Sequence, residues 1–252
     1  MSSKEKKLSE FVAVLALLSM VGAASLGFFS KTKLPPAQLQ DDIRWTIRLL
    51  ASIFVFMTSL FLGLMINSAK NTFETNNRNV RVLATDLILL DRTLRGLGPE
   101  AEDARRHLLE YIQTELKDPN ILRENPQAEA LLDAVGTSLK AIRASDEQEV
   151  ALWDDALHLY RQVVQERWVM IDAAGGTIGT PLVVILILWL AIIFAGIGYG
   201  APRHTIVTAS FFLAALLISA SLYLILDMDA STSGMFKASK VPFQRTLAQV
   251  QR

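Results

Sequence analysis

Few residues of this sequence have the types and spacing that chemistry requires. It has no cysteine, and its three histidines (His107, His158 and His204) lack the close spacing of metal ligands. His107 and His158 could meet across a helix hairpin, although solvated surface histidines are the simpler interpretation. Phosphate-binding glycine loops, nucleophile elbows and zinc-helix motifs do not occur. We therefore expect no catalytic residue, no cofactor, no metal site and no enzymatic activity.

The carboxylates fall on predicted helices with arginines nearby. Asp91 and Arg95 are four residues apart, the spacing of an ordinary surface ion pair worth roughly 0.2–0.5 kcal/mol. Asp227 and Asp229 stand at the end of an apolar segment. Residues two apart do not share a helix face, so a shared cation site would need the helix to end there. A solvated helix end is the simpler interpretation.

One apolar segment carries a stripe of mostly small or polar side chains at helical spacing. Its members are Ser52, Phe56, Ser59, Gly63, Asn67 and Lys70. The stripe can line a pore that ends in a cationic ring, which would favour anions. It can equally be a packing face, because small and hydroxyl residues let membrane helices approach closely. Packing is the simpler of these two interpretations.

These residues are positioned by apolar segments long enough to cross a bilayer. About 20 apolar helical residues span about 30 Å of hydrocarbon, and four stretches contain no charged residue: 11–29, 49–66, 181–199 and 205–226. The first also fits a cleaved signal peptide, because Lys4, Lys6 and Lys7 precede it. However, its apolar run continues to Phe29, beyond the expected cleavage site. We therefore predict four spans, and their lack of ionisable residues disfavours an ion-coupled transporter but not a pore.

The region between the second and third spans predicts helices and no strands. A seven-residue apolar repeat follows the second span, with one polar member that can fix register: Phe73, Asn76, Val80, Leu83, Leu87, Leu90 and Leu94. A second seam leads into the third span: Val150, Trp153, Leu157, Tyr160, Val164, Arg167 and Ile171. Two long helices, one leaving the membrane and one returning, could therefore pair as an antiparallel stalk.

Two shorter amphipathic segments lie between these long helices, at 101–112 and 128–142. Ser145 and Gln148 indicate a capping box at the start of the last helix; the alternative is a nearly continuous helix over 127–173. The predicted fold class is all-α: a four-span transmembrane protein with a helical-bundle or coiled-coil-like soluble domain between spans 2 and 3.

Lysine and arginine are most frequent on the side of both termini and the central domain, which predicts that this side is cytoplasmic and the membrane is the cell inner membrane. The predicted organisation is then a cytoplasmic N-terminus (1–10), span 1 (11–29), an extracytoplasmic loop (30–46), span 2 (47–67), the cytoplasmic helical domain (68–177), span 3 (178–200), a short extracytoplasmic turn (201–204), span 4 (205–227) and a cytoplasmic tail (228–252). The formal net charge is zero, so nucleic acid is not expected as a partner.

Short motifs along nearly the whole chain resemble those of the bacterial membrane proteins known as bestrophin-like. They are Leu34-Pro35, Leu39, Asp41, Leu62-Gly63-Leu64, Ser68-Ala69-Lys70, Leu90-Asp91-Arg92, Gly98-Pro99-Glu100, Arg105, Arg167-Trp168, Trp189, Ala201-Pro202-Arg203, Ile225-Leu226-Asp227-Met228-Asp229, Ser233-Gly234, Ser239 and Pro242. The family usually has a proline and an aromatic residue after Asp-x-Asp, where this sequence has Ala230, Ser231 and Thr232. The resemblance also disfavours the signal peptide, because the first span belongs to the family pattern.

What the resemblance implies is firmer for architecture than for activity. Bestrophins proper are ring-shaped oligomeric ion channels whose second span lines the pore, so by analogy the Ser52-to-Lys70 stripe is the candidate pore face. Their acidic calcium-binding cluster is not recognisable here, so calcium gating is not carried over. The motif positions of unknown role are Asp91, Arg92, Pro99, Glu100, Pro202, Arg203, Asp227 and Asp229.

Two functional hypotheses follow. The first is an oligomeric ion channel or pore, whose partners are the lipid bilayer and further copies of the chain. The alternative is a membrane-anchored interaction or signalling scaffold that acts on a protein partner through its cytoplasmic helical domain, as the two apolar seams and the lack of a catalytic set suggest.

Overall fold

The computed structural model describes residues 2–30, 41–118, 120–144, 146–201, 204–230 and 238–251, and none of these belongs to a strand. The helices are α1 (Ser2–Ser30), α2 (Asp41–Gly96), α3 (Glu102–Lys117), α4 (Pro126–Ala141), α5 (Glu147–Ala173), α6 (Thr180–Gly200), α7 (Thr205–Ala230) and α8 (Val241–Val250), with a short 3₁₀ turn at Gly98–Ala101. The all-α prediction is confirmed.

The chain divides into two compact units. Unit 1 comprises Met1–Asn71 and Thr177–Asp229, and unit 2 comprises Thr72–Gly176 and Ala230–Arg252. Among the described residues, four helices are long and apolar enough to cross a membrane, and they belong to α1, α2, α6 and α7. The four predicted spans therefore fall on these four helices.

Unit 1 is held together by close approach of small residues. A Cβ added at Gly27 of α1 would collide with the backbone oxygen of Ala195, and one added at Gly198 of α6 would collide with that of Ala24. The Ser219 hydroxyl of α7 donates a 2.5 Å hydrogen bond to the backbone oxygen of Ala13 in α1. Membrane helices gain from such packing because lipid chains are as apolar as the helices and offer no hydrophobic gain on association.

Unit 2 has a larger apolar core, to which α2, α3, α4, α5 and α8 all contribute. Most of the α2 seam is buried as the seven-residue repeat predicts, at Asn76, Val80, Leu83, Leu87, Leu90 and Leu94. Phe73, its first member, is only half-buried. The two-helix coiled coil is not confirmed, because these residues pack in a bundle of several helices rather than in one seam between two.

The second seam is rotated relative to the prediction. The buried residues of α5 are Ala156, Leu157, Val163, Arg167 and Met170. Val150, which the prediction placed in the seam, is 43% exposed, and Val164 and Ile171 are only half-buried. Leu157 and Arg167 are buried as predicted. The shift follows from the bundle, because α5 packs against α4 and the segment after α3 as well as α2.

The connection between α4 and α5 interrupts the helix that could have run over 127–173. Helix α4 ends at Ala141 and α5 begins at Glu147, so a continuous 127–173 helix is wrong. The Asp146 carboxylate is the N-cap of α5 and accepts the backbone N–H of Glu149 at 2.7 Å, which satisfies one of the unpaired donors at the helix start. Ser145, the predicted cap, lies outside the described residues.

Candidate functional site

The predicted stripe on α2 lies on the outside of unit 1. Its six residues (Ser52, Phe56, Ser59, Gly63, Asn67 and Lys70) are all exposed, and the exposed fraction of Phe56 is 70%. A Cβ added at Gly63 would have no atom within 4 Å. The stripe is therefore not used for packing inside unit 1, and whether it lines a pore or packs against another copy stays a prediction.

The opposite side of α2 fixes this orientation. Thr58, Met65 and Ala69 are buried, and Met65 and Ala69 belong to the core shared with α1, α6 and α7. Phe54 meets Trp189 of α6 edge to face, with 5.4 Å between ring centroids, a geometry worth about 0.5–1.5 kcal/mol beyond area burial. Rotating α2 to bury the stripe would expose these groups.

A hydrogen-bonded junction lies near the end of α2's apolar segment. The Asp229 carboxylate of α7 accepts the backbone N–H of Thr177 at 3.1 Å, that of Ile178 at 3.0 Å and the Thr177 hydroxyl at 3.0 Å. The Thr177 hydroxyl also lies 3.2 Å from the hydroxyl of Ser68, an α2 residue outside the stripe. Asp229 thus joins the end of α7 to the turn before α6, and Thr177 links that turn to α2 within unit 1.

This junction overturns the interpretation of Asp227 and Asp229 as a solvated helix end, because they are only 1% and 5% exposed. Both Asp229 oxygens already accept from two donors each, so this carboxylate needs no cation for charge compensation. In the part of the chain that the structure describes, no group of three or more His, Cys, Asp or Glu side chains is placed to hold a metal ion.

Asp91 forms a second polar junction, within unit 2. Its carboxylate pairs with Arg95 at 2.7 Å and with Arg105 of α3 at 3.1 Å, and Arg95 also donates to the backbone oxygen of Val250 in α8 at 2.8 Å. The predicted Asp91–Arg95 pair is present, but the surface setting is wrong, since Asp91 is buried. The reason is that α3 and α8 cover this face of α2.

The remaining family-motif positions have simpler surroundings. Arg92, Pro99 and Glu100 are exposed, and Pro99 lies in the first turn of the 3₁₀ helix. Pro202 and Arg203 lie outside the described residues. Of the histidines, His107 lies 3.2 Å from the Ser138 hydroxyl, while His158 and His204 are exposed.

Sequence reasoning missed a buried acid, Glu115. It lies at the end of α3, and Arg167 of α5 approaches to 2.8 Å. Burial raises the pKa of Glu115 to about 7, and the Arg167 guanidinium lowers it only in part. The sequence held a signal, because Glu115 continues the apolar face Ala104–Leu108–Ile112 at helical spacing.

Comparison with known proteins supports the same fold. The sequence matches the Bestrophin-like domain over residues 18–243, and no curated protein matches it. A crystal structure of a bacterial bestrophin homologue from Klebsiella pneumoniae, a point variant, aligns with 95% of this chain and 96% of its own at 13% identity and a TM-score of 0.61. A second variant of that homologue gives 0.59 at 12% identity, covering 95% and 94%, and a crystal structure titled only as a membrane protein gives 0.56 at 15% identity, covering 97% and 96%. This four-span chain therefore belongs to the Bestrophin-like family of membrane proteins.

Proposed function

We propose that several copies of this chain assemble into an ion channel, with the α2 stripe facing the ion path. The observation that carries the proposal is the exposure of the whole stripe from Ser52 to Lys70 in a single copy. Its small and hydroxyl residues suit a polar or closely packed setting, which further copies would provide. Family membership and the likeness to bestrophin homologues support it. The central parts of the spans carry no Asp, Glu, Lys, Arg or His, so conduction would depend on hydroxyls, backbone and apolar constrictions.

We further propose that the protein resides in the cell inner membrane with both termini and unit 2 in the cytoplasm. The lysine and arginine bias of the segments that flank the spans supports this orientation. Lys70 then lies at the cytoplasmic end of the stripe, where a ring of such residues would favour anions. Phe56 is the largest side chain of the stripe and the strongest candidate for a constriction.

Cysteine accessibility tests the proposal directly, because the natural chain has no cysteine. Purified full-length Ser59→Cys and Gly63→Cys proteins in liposomes should lose ion flux when a charged, water-soluble thiol reagent is added. The matched control is Leu64→Cys, since Leu64 is also exposed but lies on another face of α2. Equal labelling and equal loss of flux at all three positions would contradict a stripe-lined pore.

The side chains themselves provide the second arm of the experiment. Phe56→Ala should raise ion flux by removing the proposed constriction, whereas Leu64→Ala should leave it unchanged. Lys70→Glu should shift the reversal potential toward cation selectivity. Protein that is monomeric in nanodiscs, or that passes no ions in liposomes, would contradict the channel itself.

No observation now favours the scaffold alternative. That hypothesis was motivated by two apolar seams available for a protein partner. The α2 seam is buried in the core of unit 2, and the buried face of α5 is part of the same core.

A further inference from the structure

A cluster of buried polar side chains occupies unit 2 where α3 ends. Tyr111 and Glu115 come from α3, Asn120 from the segment that follows it, and Arg167 from α5; all four are buried. Among the described residues, the Tyr111 hydroxyl, the Asn120 Nδ2 and both Glu115 oxygens have no hydrogen-bond partner. Buried polar groups are almost always paired, so this cluster requires a ligand or a change of charge.

The Arg167 guanidinium does not satisfy Glu115. Its Nη1 donates to the backbone oxygen of Ile121 at 2.6 Å and its Nη2 to that of Arg123 at 2.7 Å. Nη2 is also 2.8 Å from Glu115 Oε1, but without the alignment of a hydrogen bond. The pair is thus Coulombic only, and it lacks the charge-assisted hydrogen bond that normally keeps a buried carboxylate ionised.

The other charged groups around Glu115 partly cancel. Asp118, three residues further along, repels its negative charge, and Lys240 at the start of α8 attracts it. The Lys240 ammonium is already bound to the backbone oxygens of Leu116 and Asp118. Burial is the largest influence and places the pKa of Glu115 at about 7; burial also raises the pKa of Tyr111, which therefore stays protonated and can donate.

We propose that Glu115 is a proton-binding site, hydrated by water that Tyr111 and Asn120 hold against it. A buried water needs two to four polar partners, and the Tyr111 hydroxyl, the Asn120 amide and the Glu115 carboxyl supply three. Proton uptake removes the attraction between Glu115 and Arg167, but it also removes the larger cost of burying the ionised carboxylate, and it leaves Arg167 attached to the 121–123 segment through backbone oxygens. The pH near neutrality thereby sets the charge state of the contact between α3 and α5, with the protonated form the more stable one, independently of the proposed channel function.

Infrared difference spectroscopy of the full-length protein in nanodiscs tests this site. Between pH 6 and 8.5, the wild type should lose the carbonyl band of one neutral carboxyl group, and Glu115→Gln should lack that change. Two matched controls should keep it: Glu110→Gln, an exposed acid on the same helix, and Asp86→Asn, whose carboxyl has its pKa raised by burial and by Glu166. A wild type without this band, or a band that persists in Glu115→Gln, would overturn the proposal.

A second variant keeps the test decisive if Glu115→Gln does not fold. Tyr111→Phe retains the acid but removes a donor to the hydrated carboxylate, so the titration midpoint should rise, with proton affinity increasing at least threefold. An unchanged midpoint would contradict the proposed role of Tyr111 and of the water that it holds. The wild-type spectrum alone still decides whether a buried carboxyl group titrates near neutral pH.

Discussion

Asp229 of unit 1 and Glu115 of unit 2 are both buried, but their carboxylates have opposite surroundings. In unit 1, Asp229 accepts backbone N–H groups and a hydroxyl on both oxygens. In unit 2, Glu115 has a cation beside it but no hydrogen bond among the described residues. Directed donors stabilise the ionised form, whereas a nearby charge without them offsets only part of the cost of burial. The first arrangement fixes a junction, and the second leaves a group that can exchange a proton.

Removing Arg167, the cationic partner of Glu115, should cause the largest loss of stability. Arg167→Met leaves Glu115 with no neighbouring guanidinium, and breaking a buried pair typically costs about 3–5 kcal/mol. The loss should be greater at pH 8 than at pH 6, because at pH 6 Glu115 can be neutral. Denaturant unfolding of the full chain at the two pH values measures it, with the exposed Arg161→Met as control; equal losses at both pH values would contradict the account.

The pH profile of the wild type should show the next largest effect. The folded-state pKa of Glu115 is raised from 4.5 to about 7, so the folded protein binds this proton more tightly than the unfolded chain does. Its contribution to stability is greatest below pH 4.5 and is lost as pH rises through 7, by roughly 3 kcal/mol in total. The unfolding free energy of Glu115→Gln should lack this component, and identical wild-type and variant profiles would be the contrary result.

Asp229→Asn should destabilise unit 1. An asparagine amide can accept on one oxygen but presents N–H groups to the N–H donors of Thr177 and Ile178, so charge-assisted hydrogen bonds are lost at a cost of about 2–3 kcal/mol. Thermal unfolding in detergent measures the loss. The exposed Asp155→Asn is the control, and equal melting temperatures for the two variants would contradict the role of the junction.

The smallest effect tests close packing in unit 1. Gly198→Ala would push a methyl group into the backbone of Ala24, and such overpacking costs about 1–3 kcal/mol. Gly196→Ala on the same helix meets no atom within 4 Å and should be neutral or slightly stabilising, since alanine is the better helix former. Melting temperatures of the two variants in the same detergent decide; equal values would mean that α1 and α6 separate at no cost.

Periodicity predicted those parts of the fold that depend on one helix at a time. The four spans and the buried α2 seam follow from residue spacing along the helix. The α5 seam was displaced because several helices surround α5, and a spacing drawn for one partner cannot anticipate the others. The stripe from Ser52 to Lys70 stays a prediction: its residues are exposed, but so are Leu60 and Leu64 on other faces of α2, and its role depends on neighbours outside one chain.

The polar junctions could not be predicted because their partners are remote in sequence. Asp229 looked solvated since its donors, Thr177 and Ile178, belong to a turn that precedes α6. Asp91 looked like a surface residue since the covering helices α3 and α8 are set by tertiary packing. Glu115 was also missed, but it could have been predicted, because an acid on an apolar helix face already indicates a buried charge.

The Ser219–Ala13 hydrogen bond and the Asp229 junction can form only late in biosynthesis. Both depend on the last span, α7, while their partners are made much earlier: Ala13 in the first span and Thr177 before the third. During membrane insertion, Thr177 and Ile178 therefore lack their Asp229 acceptor until the fourth span has been made. A nascent chain stalled after the third span would lack both contacts.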